Sequence, residues 1–344
     1  MNGEFLLAIE EISKEKGISK EQLFSALDAA LVSAYKKNYG SINSNVKVMI
    51  DRETGAINVY SLKTVVEEVE NDQLEISLED AKELNIKLQL GDMAELKVIP
   101  KDFGRIAAQT AKHVVVQKIR EAERGIIYDE FITRENELVT GLVQRKEKNN
   151  VYFDLGKTEA VLEAKEQVPG ETYNINDRIK TYIVRVEKTT KGPQIILSRT
   201  HPGLVKRLFE LEVPEIQDGI VEIKSVAREA GSRSKIAVYS YDENVDPVGA
   251  CVGQKGQRVQ VIVDELRGEK IDIIDWSEDP VEFVASALSP AKILEVNINK
   301  EAKIAQVLVA ENQLSLAIGR EGQNARLAAR LTGWKIDIKS TPAE

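Results

Sequence analysis

The sequence predicts a multi-domain α+β chain in which a small closed β-barrel separates an α+β N-terminal part from two copies of one α+β module. Three observations predict it. The chain has 344 residues, more than one hydrophobic core ordinarily organises. Five short strand-like runs crowd into residues 137–199. One order of helices and strands runs twice through residues 202–344, and each copy closes on Ile-Asp-Ile, at Ile271-Asp272-Ile273 and at Ile336-Asp337-Ile338.

The N-terminal part, residues 1–130, starts with two helices. Phe5, Leu6, Ile9 and Ile12 recur at helical spacing and Gly17 supplies a stop. Ser19 with Gln22 forms a capping-box pattern. Leu23, Leu27, Ala30, Leu31 and Ala34 then make the buried stripe of the second helix, which Gly40 ends. Alternation at Val46, Val48 and Ile50, a turn through Glu53-Thr54-Gly55, and Ile57 and Val59 predict a hairpin. Ser77 opens a short helix over Ala81 and Leu84, and Gly91 leads into a strand at Leu96-Val98. A long helix runs from Phe103 to Arg124, with Ile106, Ala111, Val114, Val115, Ile119 and Ala122 as its apolar positions.

Residues 131–200 change character. The five runs are Val139 to Val143, Val151 to Leu155, Ala160 to Leu162, Ile179 to Val186 and Ile195 to Ser198. Five short strands in so few residues suggest a closed barrel of the OB type. Gly141 and Gly156 suit its tight corners. Alternation turns Val151, Phe153 and Leu155 inward and Tyr152 outward.

Each module of the repeat, residues 201–276 and 277–344, is predicted as helix, strand, strand, short helix, helix, strand. Between the two adjacent helices stand Gly253-Gln254-Lys255-Gly256 and Gly319-Arg320-Glu321-Gly322. With only two copies this is a duplicated domain and not a solenoid.

Composition excludes much chemistry. The chain has one cysteine and two histidines, so an internal disulfide is impossible and a structural zinc site of four Cys/His ligands is not expected. His113 lies inside a helical pattern and His201 precedes Pro202, with no nucleophile motif around either. No enzymatic activity, cofactor or metal is expected. Hydrophobic residues make up 42%, enough for real cores, yet no apolar run is long enough to span a bilayer. The acidic opening residues Met1 to Ile12 do not read as a secretory signal, and the single thiol fits a reducing cytoplasm. Net charge is −9, which argues against indiscriminate attraction of nucleic acid. Residues 131–200 and 281–344 are nonetheless net basic, so contact with RNA must depend on local placement of Lys and Arg.

A lone GxxG is a weak motif, because a plain turn between helices explains most isolated matches. Here it occurs twice in the same context. Each copy follows an apolar pair, Cys251-Val252 or Ala317-Ile318, and precedes Gln and an amphipathic helix. Two glycines let a phosphate approach the backbone, since no Cβ intervenes. The following helix offers unpaired N–H groups to the anion. Lys255, Arg258, Arg320 and Arg326 add charge, with Gln257, Gln323 and Asn324 beside them. Glu321, inside the second loop, opposes it. This is the pattern of the GxxG clamp of KH domains, which holds single-stranded RNA, and the element order resembles the prokaryotic KH type. The barrel resembles the S1-type RNA-binding domain at Gly141-Leu142-Val143, at Val151 to Gly156 and at Ile196-Leu197-Ser198-Arg199. Tyr152 is there as a stacking platform for a base or as an exposed tyrosine without a ligand. Asn149 and Glu163 stand where that family carries an aromatic and a histidine.

With the N-terminal part included, the chain resembles the NusA family of bacterial transcription termination/antitermination factors. Glu15-Lys16-Gly17-Ile18-Ser19, Ala34-Tyr35-Lys36-Lys37 and the run from Phe103 to Lys112 and on to Arg124 carry the resemblance, as does the domain order. It implies an N-terminal domain that docks on RNA polymerase, three domains that hold nascent single-stranded RNA, and other Nus factors as partners in antitermination. The chain is expected to act as a monomer on pausing and termination. Lys36, Lys37, Arg105 and Lys112 are the candidate contacts to polymerase or to an RNA hairpin, or else a solvated helix face. No acidic repeat follows Glu344, which predicts a short form of the family. A phosphorolytic exoribonuclease also appends KH and S1 modules, but in the opposite order, singly, and behind a catalytic core for which residues 1–130 are too few. A translation or ribosome-associated factor, or an RNA-processing accessory protein, is the remaining alternative.

Overall fold

A computed structural model describes residues 3–39, 45–84, 87–98 and 103–341; Gly40, expected to end the second helix, lies outside them. The chain divides into two compact units at Ile126 and Ile127.

In the first unit, α1 (Gly3–Lys16) and α2 (Lys20–Tyr39) precede β1 (Val46–Ile50) and β2 (Ile57–Val66), which pair antiparallel with Val48 opposite Val59. Helix α2 begins immediately after Ser19, and its Leu23, Leu27 and Leu31 are fully buried. The stripe spaced at three and four residues thus faces the core, while Ala30 and Ala34 sit at its margin. β3 (Glu75–Ser77) and β4 (Met93–Lys97) pair with the far half of β2. Between them α3 (Leu78–Leu84) is started by Ser77, whose Oγ accepts from Asp80 N at 3.1 Å. The long helix α4 (Phe103–Ile132) buries Phe103, Ala107 and Ala111 in this unit's core. It runs eight residues beyond Arg124 because its last turns keep an apolar face: Ile127, Tyr128, Phe131 and Ile132 pack on the core of the barrel that follows.

The barrel strands are β5 (Leu138–Glu147), β6 (Asn150–Asp154), β7 (Glu159–Leu162), β8 (Arg178–Thr189) and β9 (Gly192–Ser198), closed in the order β5-β6-β7-β9-β8. This is the five-stranded OB arrangement that the strand spacing predicts. Val151 and Phe153 point into the core, Leu155 packs at its rim and Tyr152 faces out. A Cβ at Gly141 would stand 3.0 Å from Phe153 and Leu155, which accounts for glycine at that corner.

The first module runs α5 (Pro202–Glu212), α6 (Pro214–Gln217), β10 (Val221–Glu229), β11 (Arg233–Ser240), α7 (Pro247–Val252), α8 (Gln257–Glu265) and β12 (Lys270–Asp275). The second repeats it as α9 (Pro280–Ala287), β13 (Ile293–Asn299), β14 (Ile304–Val309), α10 (Glu311–Ile318), α11 (Gln323–Thr332) and β15 (Lys335–Ser340). Both sheets have one antiparallel and one parallel pairing, and both carry a bulge in the first strand, between Ile223 and Ser225 and between Ile293 and Glu295. Only α6 lacks a counterpart.

Barrel and first module are tied by buried charge. Arg199, 1% exposed, forms an ion pair with Glu171 of the barrel and donates to Lys180 O at 2.8 Å and to Glu265 O of α8 at 3.0 Å. The two modules share a core: Ala227, Ala237 and Ile274 of the first sheet join Phe283, Val284, Leu327 and Ala328 of the second module.

Candidate nucleic-acid interface

The two GxxG loops have the same backbone. Gly253 lies at φ 75°, ψ 176° and Gly319 at φ 75°, ψ 172°. Gly256 and Gly322, which precede α8 and α11, are left-handed at φ 76°, ψ 14° and φ 75°, ψ 14°. Each loop closes with an N–H of its last glycine donating to the carbonyl of its first, 3.1 Å in both. The first glycine is needed for space as well as for φ. A Cβ at Gly253 would stand 2.7 Å from Arg258 Cγ, and one at Gly319 would stand 2.8 Å from the backbone nitrogen of Asn324. Between the glycines, Lys255 and Glu321 are also left-handed, at φ 52° and 55°. That conformation costs an ordinary residue roughly 1–2 kcal/mol. Strain held identically in two loops is a mark of function more than of folding.

The loop tips are open. Gln254, Lys255, Gln257, Arg320 and Glu321 are exposed. Lys255 has no carboxylate within ion-pair distance among the described residues, whereas Arg320 has Glu321 at 4.0 Å. Each loop therefore places an exposed cation, Lys255 or Arg320, beside a helix N-terminus, where an anion is favoured.

The side chains after the loops are otherwise engaged. Arg258 Nη1 donates to Ala250 O at 2.6 Å and to Glu215 at 2.9 Å, closing the end of α7 against α6. Asn324, at the same position of the second loop, is buried and its Nδ2 donates to Ala317 O at 3.1 Å and Leu288 O at 3.0 Å. Gln323 and Arg326 reach the other module, Gln323 Nε2 donating to Ser232 Oγ at 2.8 Å and Arg326 Nε to Glu229 at 2.6 Å. Sequence reasoning groups all four with the RNA-facing residues; the structure gives them partners inside the protein. Glu229, which holds Gln323 and Arg326, is a residue that reasoning passed over. It lies 97 positions from Arg326, and no local pattern announces it.

On the barrel, the outward ring of Tyr152 is covered by the Arg145 guanidinium, 4.0 Å from its centroid, and Arg145 pairs with Glu159. A stacked base would lie against or displace this cation. In the first unit Lys36 and Lys37 occupy the last turn of α2, and Arg105 and Lys112 lie on α4; all four are exposed. No cluster of His, Cys, Asp and Glu that could hold a metal ion occurs among the described residues, and none of their helices is long and apolar enough to cross a membrane.

Four family models match in succession: the NusA N-terminal domain over residues 4–125, the S1 RNA binding domain over 133–199, the NusA-like first KH domain over 199–276 and the NusA-like second KH domain over 280–344. The chain is 64% identical to the transcription termination/antitermination protein NusA of Halalkalibacterium halodurans, across 99% of this chain and 89% of that protein. It is 62% identical to the protein of the same name from Bacillus subtilis, across 99% of this chain and 91% of that one. Among solved structures, the solution structure of the N-terminal domain of NusA from B. subtilis is 53% identical, covers 36% of this chain and 99% of its own, and superposes with a TM-score of 0.33.

Proposed function

We infer a mechanism from one premise: the chain belongs to the NusA family of transcription termination/antitermination proteins. We propose that it works by tethering and stabilisation without covalent chemistry, as a cytoplasmic monomer. In this reading residues 1–130 dock on RNA polymerase, with Lys36, Lys37, Arg105 and Lys112 as contacts to the enzyme or an emerging hairpin. The barrel (131–200) and the two KH modules (201–276 and 277–344) hold nascent single-stranded RNA, and other Nus factors join in antitermination. The observation that carries the RNA part is the duplicated loop: two strained, glycine-flanked turns of one geometry, each with an exposed cation at a helix start.

At the loops we assign the direct contacts to Gly253, Gln254, Lys255, Gly256 and Gln257, and to Gly319, Arg320, Glu321 and Gly322. Arg258, Gln323, Asn324 and Arg326 support those loops from behind, and Tyr152 is a weaker platform. The test is in vitro transcription on a hairpin-pause template with and without the protein. Longer pausing and more termination are expected; an unchanged pause lifetime and termination efficiency would refute the reading. A fragment ending near Arg124 should bind core polymerase far better than one starting at Glu137, and equal binding would remove the N-terminal assignment.

A further inference from the structure

One side of the first module's sheet is covered by α5, α7 and α8, and there Val221, Ile223 and Val238 are buried. Alternation therefore turns Glu222 and its register partner Tyr239 to the other side. On that side the Lys224 ammonium lies 5.4 Å from the ring centre of Tyr239, 5.1 Å from that of Tyr241 and 5.4 Å from that of Trp276. Each distance is within the reach of a cation–π contact. Tyr239 meets the other two rings edge to face, Tyr241 at 5.2 Å and Trp276 at 5.4 Å. Lys224 Nζ donates to Tyr241 Oη at 3.0 Å and pairs with Glu222, to which the Tyr241 hydroxyl also donates. The cluster opens to solvent at Tyr241, which is 61% exposed.

The fold does not require this cluster. By strand register, Lys224, Tyr239 and Trp276 correspond to Leu294, Ala310 and Thr341 of the second module, which forms the same sheet without any of the three. The charge around the rings is one-sided. Residues 239–246 and 275–282 carry seven carboxylates and no Lys, Arg or His. Asp246 and Asp279 cap α7 and α9, and Asp242 accepts from Asn244 N; such hydrogen bonds leave the charges in place. Among the described residues none of the seven is in an ion pair, while Glu215, Glu222, Glu269 and Asp272 of the same module are. Asp275, at the end of β12, shows the consequence: burial and then the neighbouring Asp246 charge raise its pKa.

A face of this kind repels phosphate and attracts cations. We propose that the aromatic side of the first KH module's sheet is a docking surface for an arginine-bearing basic segment of a partner protein. A guanidinium of that segment stacks on Tyr241, and its neighbours pair with Glu243, Asp275 and Glu278. Lys224 stays in place, neutralised by Glu222, and holds the rings together. Arginine fits better than lysine, because its planar and weakly hydrated head stacks on a ring while still donating to carboxylates. The surface lies across the sheet from the helices that flank the GxxG loop, so the segment does not compete with RNA for that loop.

The test uses the full chain and a fluorescent peptide of alternating arginine and glycine, followed by anisotropy in a salt titration. The unaltered chain should bind it more tightly than the matching lysine–glycine peptide. Tyr241→Ala removes an exposed ring and should weaken binding of the arginine peptide about fivefold. Glu243→Gln with Glu278→Gln should also weaken it and flatten its salt dependence. Glu67→Gln with Glu68→Gln is the control, because it removes the same charge at two exposed positions of the first unit; it should change neither quantity. Equal losses in the two double variants would reveal attraction to net charge alone and overturn the surface. Failure of the unaltered chain to bind the arginine peptide, or unchanged binding by Tyr241→Ala, would overturn it as well. Tyr241→Ala should bind an unstructured RNA oligonucleotide as the unaltered chain does. Loss of RNA affinity with peptide binding kept would make this face an RNA platform and refute the protein partner.

Discussion

The two KH modules share a backbone, yet they stabilise equivalent positions with different chemistry. In the first, Arg228 and Glu269 form a fully buried ion pair, with Nη2 to Oε2 at 2.8 Å; Glu269 also accepts from Ser234 Oγ at 2.6 Å and Gly231 N at 2.9 Å. Arg228 stands opposite Ser234, and Glu269 immediately precedes β12. At the same register of the second module stand Ile298, opposite Ala305, and Trp334, immediately before β15, both packed on the shared core. One fold thus accepts a satisfied charge pair or an apolar pair at one site. Desolvation removes most of what a buried ion pair gains, so the two solutions are close in net energy and differ in what happens when one partner is lost. The helix starts differ likewise. His201 caps α5 through Nδ1, accepting from Gly203 N at 3.0 Å, and Asp279 caps α9, accepting from Val281 N at the same 3.0 Å. Proline follows each cap.

Breaking the charge pair gives the largest expected effect. Glu269→Gln leaves Arg228 buried without its countercharge and should lower unfolding stability by about 3 kcal/mol. Trp334→Phe in the second module strands no charge and should cost less in the same denaturant titration. A Glu269→Gln loss no greater than that of Trp334→Phe would show that the two modules do not differ in this way. The pair also predicts acid sensitivity. Burial raises the Glu269 pKa, but Arg228, Ser234 and Gly231 outweigh it and hold the carboxyl below its ordinary value. That stability is present above the ordinary carboxylate range and is lost as pH falls through the folded pKa.

The loops sharpen the comparison at the level of binding. Replacing Gln254-Lys255 by Asp-Asp should weaken binding of unstructured RNA roughly tenfold, about 1.4 kcal/mol. The same replacement of Arg320-Glu321 should cost less, since that loop already carries a carboxylate. Both loops are exposed, so stability should move by no more than about 0.5 kcal/mol, which circular dichroism during the thermal melt would check. Unchanged affinity with both loops replaced would end the KH account of binding.

The smallest effect lies at the caps. Burial lowers the His201 pKa, with Glu166 opposing and Arg228 adding to the shift, and the ring stacks on Tyr182 at 4.6 Å. Because the folded pKa is the lower one, the unfolded chain takes up its proton first. The contribution is complete above the ordinary histidine value of about 6.5 and falls away as pH drops below it. A melting temperature that declines between about pH 6.5 and 5.5, and does so less in His201→Asn, is expected; identical slopes would remove the role of His201. Asp279→Asn should leave the slope in that interval unchanged.

Much of this protein was legible in one sequence. Leu23, Leu27 and Leu31 at helical spacing, the alternation through Val151, Phe153 and Leu155, and the doubled Ile-Asp-Ile placed the helices, the barrel and the repeat, because periodicity is a local property that burial merely enforces. Gly253, Gly256, Gly319 and Gly322 marked the loops because positive φ leaves few other residues a choice. The end of α4 was missed: Gly125 interrupts the pattern, and the apolar residues beyond it pack on a barrel formed later in the chain. Charge was legible only as composition. Whether Arg258 or Arg326 faces RNA or a carboxylate depends on Glu215 and Glu229, 43 and 97 positions away. An arginine's role is set by which acceptor the fold brings to it, and strand pairing and module packing bring acceptors from distances that no sequence window spans. The sequence by itself determined the modules, their order and the shape of the two loops; the tertiary structure alone decided which cations remain free to meet a phosphate.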